Sequence, residues 1–407
     1  MAIIKAFAGY RPKKEMAARV ASPPYDVLNS EEARETAKGN GISFLHVVKP
    51  EIDLPEGTAL YSDEVYKKGA ENLKRLIDNK ILVKDEKPAL YIYSQRMGGH
   101  FQTGIVALAS AEEYIAGKIK KHEHTKPDKV RDRTSHISAQ GAHSGPVFLT
   151  YKNRESINGI VKRIQKRAPD ADIVTPENVG HTLWLVSDED DIKAITEEFK
   201  RIDVLYIADG HHRSASAVEN YRRDKTEATA FFLAVLFPDE QLKIMEYNRV
   251  VKDLNGLSKE EFLNRVSEKF SITEAGAPCP DKKHTVCMYL DKKWYSLEMK
   301  PEIINEGDPV KRLDVAILQN NLLGPVLGIN DPRTDKRIDF IGGIRGPEEL
   351  ERLVNSGNFK VAFAMYPVTI SGLMSIADAG EVMPPKSTWF EPKLRSGMVV
   401  NVFREPH

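Results

Sequence analysis

Val204-Leu-Tyr-Ile-Ala-Asp-Gly-His-His-Arg-Ser-Ala-Ser-Ala217 decides how this chain is read. Residues 204–208 form a short apolar, β-prone run, Asp209 and Gly210 break it, and residues 214–223 carry apolar and polar side chains at helical spacing. The spacing predicts a strand, a tight turn and a helix. Glycine lets the backbone turn sharply or approach a ligand closely. The first amides of the following helix lack intrahelical acceptors and point at whatever lies in front of them. Such a place favours an anion, and His211, His212 and Arg213 put one fixed and two titratable cations at the same mouth. Asp209 has a plainer reading as the helix N-cap.

Working outward, 407 residues exceed one ordinary core, and two or three domains are expected. Apolar and charged contents of 41% and 29% are those of a soluble globular protein. Lys plus Arg equals Asp plus Glu, so the net charge is zero. That balance argues against a bulk nucleic-acid or membrane-surface binder. The longest nearly apolar run, 228–237, is about half a bilayer span and suits a buried strand. The first residues show no charged-apolar-small pattern of a secretory signal. Cys279 and Cys287, without C-x-x-C spacing, fit a reducing cytoplasm, and neither reads as catalytic.

The pattern elsewhere predicts an α/β (mixed α+β) fold with mixed sheets. Residues 1–110 read as an N-terminal α/β domain, 111–254 as a central domain carrying the turn, and 255–407 as a C-terminal α+β domain with a Pro-rich tail loop. Residues 43–48 read as a strand whose His46 is a core residue. Residues 61–79 read as a long amphipathic helix, and 88–95 with 102–109 as a hairpin. Residues 242–251 read as one strand. Residues 309–321 read as a helix with Lys311, Arg312 and Asp314 on its solvated face. Two stretches are stiffened by proline. Ala21-Ser-Pro-Pro-Tyr-Asp26 either presents Tyr25 and Asp26 to a site or packs Tyr25 on the core. The tail 383–393 is either a brace or a lid.

Eight of the eleven histidines fall between His100 and His212, which fits a shared polar site. Within Lys121-His-Glu-His-Thr125, an extended backbone would turn His122 and His124 one way and Glu123 the other, whereas a helix would fan them out. Glu123 suits acid/base work or a Mg²⁺ contact, and His122 and His124 suit substrate contact. No H-E-x-x-H or paired-cysteine spacing occurs, so no metal ligands are assigned. His143 and Ser144 precede a Gly-Pro turn. Ser144 lacks the G-x-S-x-G elbow of a serine hydrolase, which leaves both residues as substrate contacts. Arg249 suits a bidentate clamp on a second phosphate or a carboxylate, and Lys386 and Lys393 in the tail suit phosphate charge.

Asp209-Gly-His-His-Arg213 resembles the phosphate-binding motif of the ParB/sulfiredoxin superfamily, in particular its free-serine kinase branch. Residues 21–28, Lys121-His-Glu-His-Thr125 with Asp132-Arg133, Glu246-Tyr-Asn-Arg-Val-Val251 and the tail 383–393 are similar to the full-length family called domain of unknown function 1015, a name that supplies no activity. The kinase resemblance implies a nucleotide-dependent phosphotransferase. ATP or ADP with Mg²⁺ would dock on Gly210, His211 and Arg213, with Arg249 and Lys386 offsetting charge. Glu123, Asp209 and His212 would act on a small hydroxyl substrate such as free serine. Two alternatives stay open: a nucleotide-binding regulator of ParB type, and a metal-dependent hydrolase using the histidines. Expected partners are the nucleotide and a small molecule, with no nucleic acid or membrane, in the cytoplasm; the oligomeric state stays open.

Overall fold

The computed structural model describes residues 1–405. The chain forms two compact units, one of Met1–Leu242 with the chain from Pro392 onward, the other of Lys243–Glu391. This differs from the expected division at 110 and 254. The apolar strand Phe231–Pro238 pairs antiparallel with His100–Ser110, so residues on both sides of position 110 share one sheet.

The first unit is built on a nine-stranded mixed sheet. Its order runs Ile119–Lys120, Leu205–Asp209, Val147–Tyr151, Phe231–Pro238, His100–Ser110, Leu90–Met97, Val179–Val186 and Ala171–Val174, with Ile4–Lys5 also on His100–Ser110. Leu205–Asp209 runs parallel to Ile119–Lys120 and antiparallel to Val147–Tyr151, which is itself parallel to Phe231–Pro238. The central strands are buried on both faces, as continuous apolar runs require, and Ile105, Leu149, Ile207, Phe232 and Leu236 lie in the main core. Helices Pro127–Gln140 and His211–Asp224 are tied together where Ser216 Oγ donates to the Val130 carbonyl (3.0 Å) and Ser138 Oγ to Asn220 Oδ1 (2.6 Å). A second core in this unit gathers Phe44, Leu45, Leu73 and Val400.

The second unit holds a six-stranded sheet in which every pairing is antiparallel, ordered Phe270–Glu274, Lys293–Met299, Thr285–Leu290, Val361–Met365, Tyr247–Val251 and Ile338–Gly342. Leu350 of helix Gly346–Asn355 is buried with Val250, Ile341, Ala362 and Ala364. Among the described residues, no helix is long and apolar enough to cross a membrane.

Several local expectations are overturned. Residues 43–48 form no strand: Leu45–Val48 is a short helix, and His46 bonds Asp53 (2.8 Å) and the Asn40 carbonyl (3.1 Å). A run this short carries no period that tells strand from buried helix. Residues 121–125 are neither strand nor helix, and the basic stretch after them, which with its proline reads from sequence as a loop, is helix opened by Pro127 in its first turn. Residues 242–251 split into Lys243–Met245 and Tyr247–Val251. Asp314 is buried rather than solvated, accepting from the His284 amide at 2.9 Å.

Candidate functional site

Strand Leu205–Asp209 ends on Asp209, and Gly210 is the N-cap of the next helix with φ of 95°. The helix opens at His211 rather than Ser214, so His211, His212 and Arg213 all lie in its first turn. The Ser214 amide is bonded to the Gly210 carbonyl at 2.9 Å, so the amides of residues 211–213 lead the helix without an intrahelical acceptor. Asp209 does not cap. A Cβ on Gly210 would stand 3.0 Å from Arg213 Nε, so the glycine serves both the turn and the packing of the guanidinium.

Arg213 is only 8% exposed. It donates to the Pro146 carbonyl and faces Asp209 at 3.3 Å and Asp26 at 3.9 Å. Its Nε is buried without a hydrogen-bond partner among the described residues. Burial opposes its charge, yet Asp26 and Asp209 outweigh burial and raise its pKa. Asp209 also meets Lys393 Nζ at 3.4 Å, and Gln95 Nε2 holds the Lys393 carbonyl at 2.9 Å. Burial alone would raise the Asp209 pKa, but Lys393, Arg213 and His211 hold it well below the carboxylate range. A carboxylate so held is a weak base, which counts against Asp209 as the group that takes a proton.

The two histidines of the turn anchor the neighbouring loop. The His122 amide donates to His211 Nε2 (3.5 Å) and the Lys126 amide to His212 Nε2 (3.0 Å). With Nε2 accepting, a neutral ring carries its proton on Nδ1. His211 Nδ1 then faces Glu123 Oε2 at 3.9 Å. Burial lowers the pKa of both rings, with Asp26 opposing it at His212. His122 is 2% exposed and its ring meets His211 edge to face, centroids 4.4 Å apart; burial lowers its pKa to about 4, against the pull of Asp209 and a hydrogen bond to the Ile207 backbone. One donor atom from each of His122, Glu123 and His211 lies within 4.8 Å of the others, a set able to hold a metal ion.

The structure thus brings Glu123, His122, Asp209, Gly210, His211, His212 and Arg213 together. His124 is exposed outside this cluster. His143 and Ser144 line a cavity of about 40 Å³ bordered also by Arg213, Tyr25 and Arg133, room for a few waters. His143 is committed to packing there: Asn401 Nδ2 reaches its Nδ1 at 3.1 Å and its ring lies against Phe403.

Arg249 and Lys386 belong to the second unit. Arg249 is buried, donates to the carbonyls of Tyr247 and Lys386, and lies over the Phe340 ring, which corrects its reading as a free clamp. Burial lowers its pKa to about 10. Lys386 places Nζ 5.3 Å from the Tyr247 ring centroid.

Two residues that the proline-stiffened stretches offered to a site, Asp26 and Lys393, do lie at the mouth. Both follow closely on proline, in Pro-Pro-Tyr-Asp26 and Glu-Pro-Lys393, and the rigid backbone there was the legible signal. Arg133 stacks over Tyr25 at 4.2 Å and so steadies the first of these stretches.

Fold and site together define a mixed α/β protein with a strand–turn–helix mouth lined by His211, His212 and Arg213. The chain belongs to the family described as protein of unknown function (DUF1015), which matches residues 4–316. No curated protein matches. Among solved structures, the chain is similar to a free serine kinase in complex with AMP, at 13% identity and a TM-score of 0.36, covering 70% of this chain and 86% of that one. A conserved hypothetical protein from Pyrococcus furiosus shows 14% identity and a TM-score of 0.36, covering 74% and 95%. SbnI with C-terminal truncation from Staphylococcus aureus shows 11% identity and a TM-score of 0.38, covering 73% and 87%.

Proposed function

We propose that this chain is a nucleotide-dependent phosphotransferase acting on a small hydroxyl substrate, with free serine as the first candidate. The observation that carries the reading is the meeting of two segments far apart in sequence: Glu123, with a side chain 40% exposed, lies against His211 in the first turn of an anion-binding helix. Phosphoryl transfer asks mainly for positioning and charge stabilisation. The helix amides at 211–213 and the Arg213 guanidinium supply the donors for nucleotide phosphates. Asp26, half-exposed at 3.9 Å from Arg213, is the oxygen ligand available to the Mg²⁺ that ATP or ADP brings. Glu123 takes the proton of the acceptor hydroxyl, with His211 Nδ1 steadying the carboxylate.

The test is to incubate the full chain with ATP or ADP, Mg²⁺ and serine and to look for phosphoserine by ³¹P NMR, with nucleotide affinity measured by calorimetry. Glu123→Gln should keep nucleotide affinity and lose roughly 10²–10⁴-fold in turnover, the usual contribution of a general base. Arg213→Lys should weaken nucleotide binding at least tenfold; lysine is preferred to alanine because removing a buried charge from its partners costs about 3–5 kcal/mol of fold stability. A wild-type chain that binds no nucleotide overturns the reading. Binding without turnover of any hydroxyl substrate favours the regulatory alternative.

A further inference from the structure

We infer that His122, Glu123 and His211 form a binding site for one divalent transition-metal ion of the zinc, manganese or iron class. The inference rests on this cluster and gives Glu123 a different role from the one it has in the phosphotransferase reading. Two imidazoles and one carboxylate come from two separate segments, and their donor atoms already lie within 4.8 Å of one another. Metal–nitrogen and metal–oxygen bonds of about 2.0–2.2 Å put bound ligands about 3–3.5 Å apart, so closure asks for a shift of roughly an ångström or more. Glu123, 40% exposed, is the ligand on the solvent side of the set.

The surroundings of the three ligands fit. His122 is hydrogen-bonded to the Ile207 backbone, the outer contact that orients a ligating imidazole. The His122 and His211 rings stand at 89° to each other instead of stacking, and both are nearly fully buried. The Asp209 carboxylate acts on both rings and adds negative charge; Lys121 and His212 oppose it at His211. Coordination by His211 Nδ1 moves the ring proton to Nε2 and opens the 3.5 Å contact with the His122 amide, a hydrogen bond already at its outer limit.

The donor set selects the ion. Imidazole nitrogen suits zinc and iron and the carboxylate admits manganese, whereas magnesium and calcium prefer all-oxygen shells. Three protein ligands leave positions open, the arrangement of a reactive rather than a purely structural metal. A bound ion lowers the pKa of a hydroxyl brought to it, so Glu123 would then hold the ion instead of taking the proton.

The test uses the full chain, stripped with chelator, dialysed against Zn²⁺, Mn²⁺ or Fe²⁺, desalted and assayed for metal by mass spectrometry, with melting curves alongside and no nucleotide present. Retention of one ion per chain and a raised Tm are expected. Glu123→Gln, a change at a half-exposed side chain, should weaken retention at least tenfold. His122→Ala should abolish it, with circular dichroism checking the fold, and His124→Ala should retain the ion as the wild type does. The inference is overturned if the wild-type chain retains none of the three ions, if Glu123→Gln holds metal as tightly as wild type, or if Mg²⁺ alone raises Tm as much as Zn²⁺. Because no nucleotide enters the assay, its failure leaves the phosphotransferase reading to its own test.

Discussion

Histidine in this chain takes its character from depth. Burial lowers the pKa of His143 to about 3; it does the same at His181, where Arg395 adds to it and Glu177 opposes it. In the unfolded chain both titrate near 6.5. Between those values the unfolded chain binds protons that the folded chain refuses, so stability is complete above about pH 6.5 and falls as pH drops toward 3. Each such histidine contributes at most about 1.4 kcal/mol per pH unit. We predict that His143→Gln, whose amide can still meet Asn401, has a shallower dependence of unfolding free energy on pH between 4 and 6, by up to about that amount. Urea titrations across that range check it, and an unchanged slope would show that His143 titrates normally in the fold. The same depth explains why the density of histidines misleads when read from sequence. His136, His143 and His181 are buried packing groups, while His122, His211 and His212 meet at the mouth.

At the scale of elements, the strand, turn and helix around Gly210 were legible because every cue is local: a short β-prone run, a glycine, then helical spacing. With φ of 95° and the Arg213 guanidinium only 3.0 Å from where a Cβ would stand, Gly210 admits no side chain without strain. Gly210→Ala should cost about 1–3 kcal/mol in urea unfolding and displace Arg213, weakening any phosphate bound there. Stability equal to wild type would mean that the turn relaxes freely. The loop at 121–126 was not legible in the same way. Its amides are held by imidazoles from another element, so neither a period of two nor of 3.6 describes it, and His122 and Glu123 come together while His124 is left outside. Arg249 was misread for a related reason: an arginine at a strand end looks available until Tyr247 and Lys386 carbonyls are seen to occupy it.

At the scale of the molecule, the first unit is closed by the end of the chain. Leu394, Met398, Val399 and Val400 are buried, and the Tyr10 and Ser22 amides donate to the Val400 and Ser396 carbonyls at 2.9 and 3.0 Å. Four buried apolar side chains at about 1.5–3 kcal/mol each amount to roughly 6–12 kcal/mol, as much as the net stability of a typical domain. A chain ending at Glu391 should therefore lose the cooperative unfolding of this unit, seen as loss of near-ultraviolet circular dichroism and of its melting transition. A truncated chain that melts as the full chain does would show that residues from 392 onward are dispensable. What the sequence by itself determined was the mixed α/β class, the buried strands and the strand–glycine–helix turn, because periodicity, glycine and helix-start chemistry act over a few residues. Only the tertiary structure decided that Glu123 meets His211, that Asp26 and Lys393 attend Arg213 and Asp209, and that the last residues complete the first unit. Those contacts join positions far apart along the chain, and whether they form depends on how whole elements pack, which no local pattern encodes.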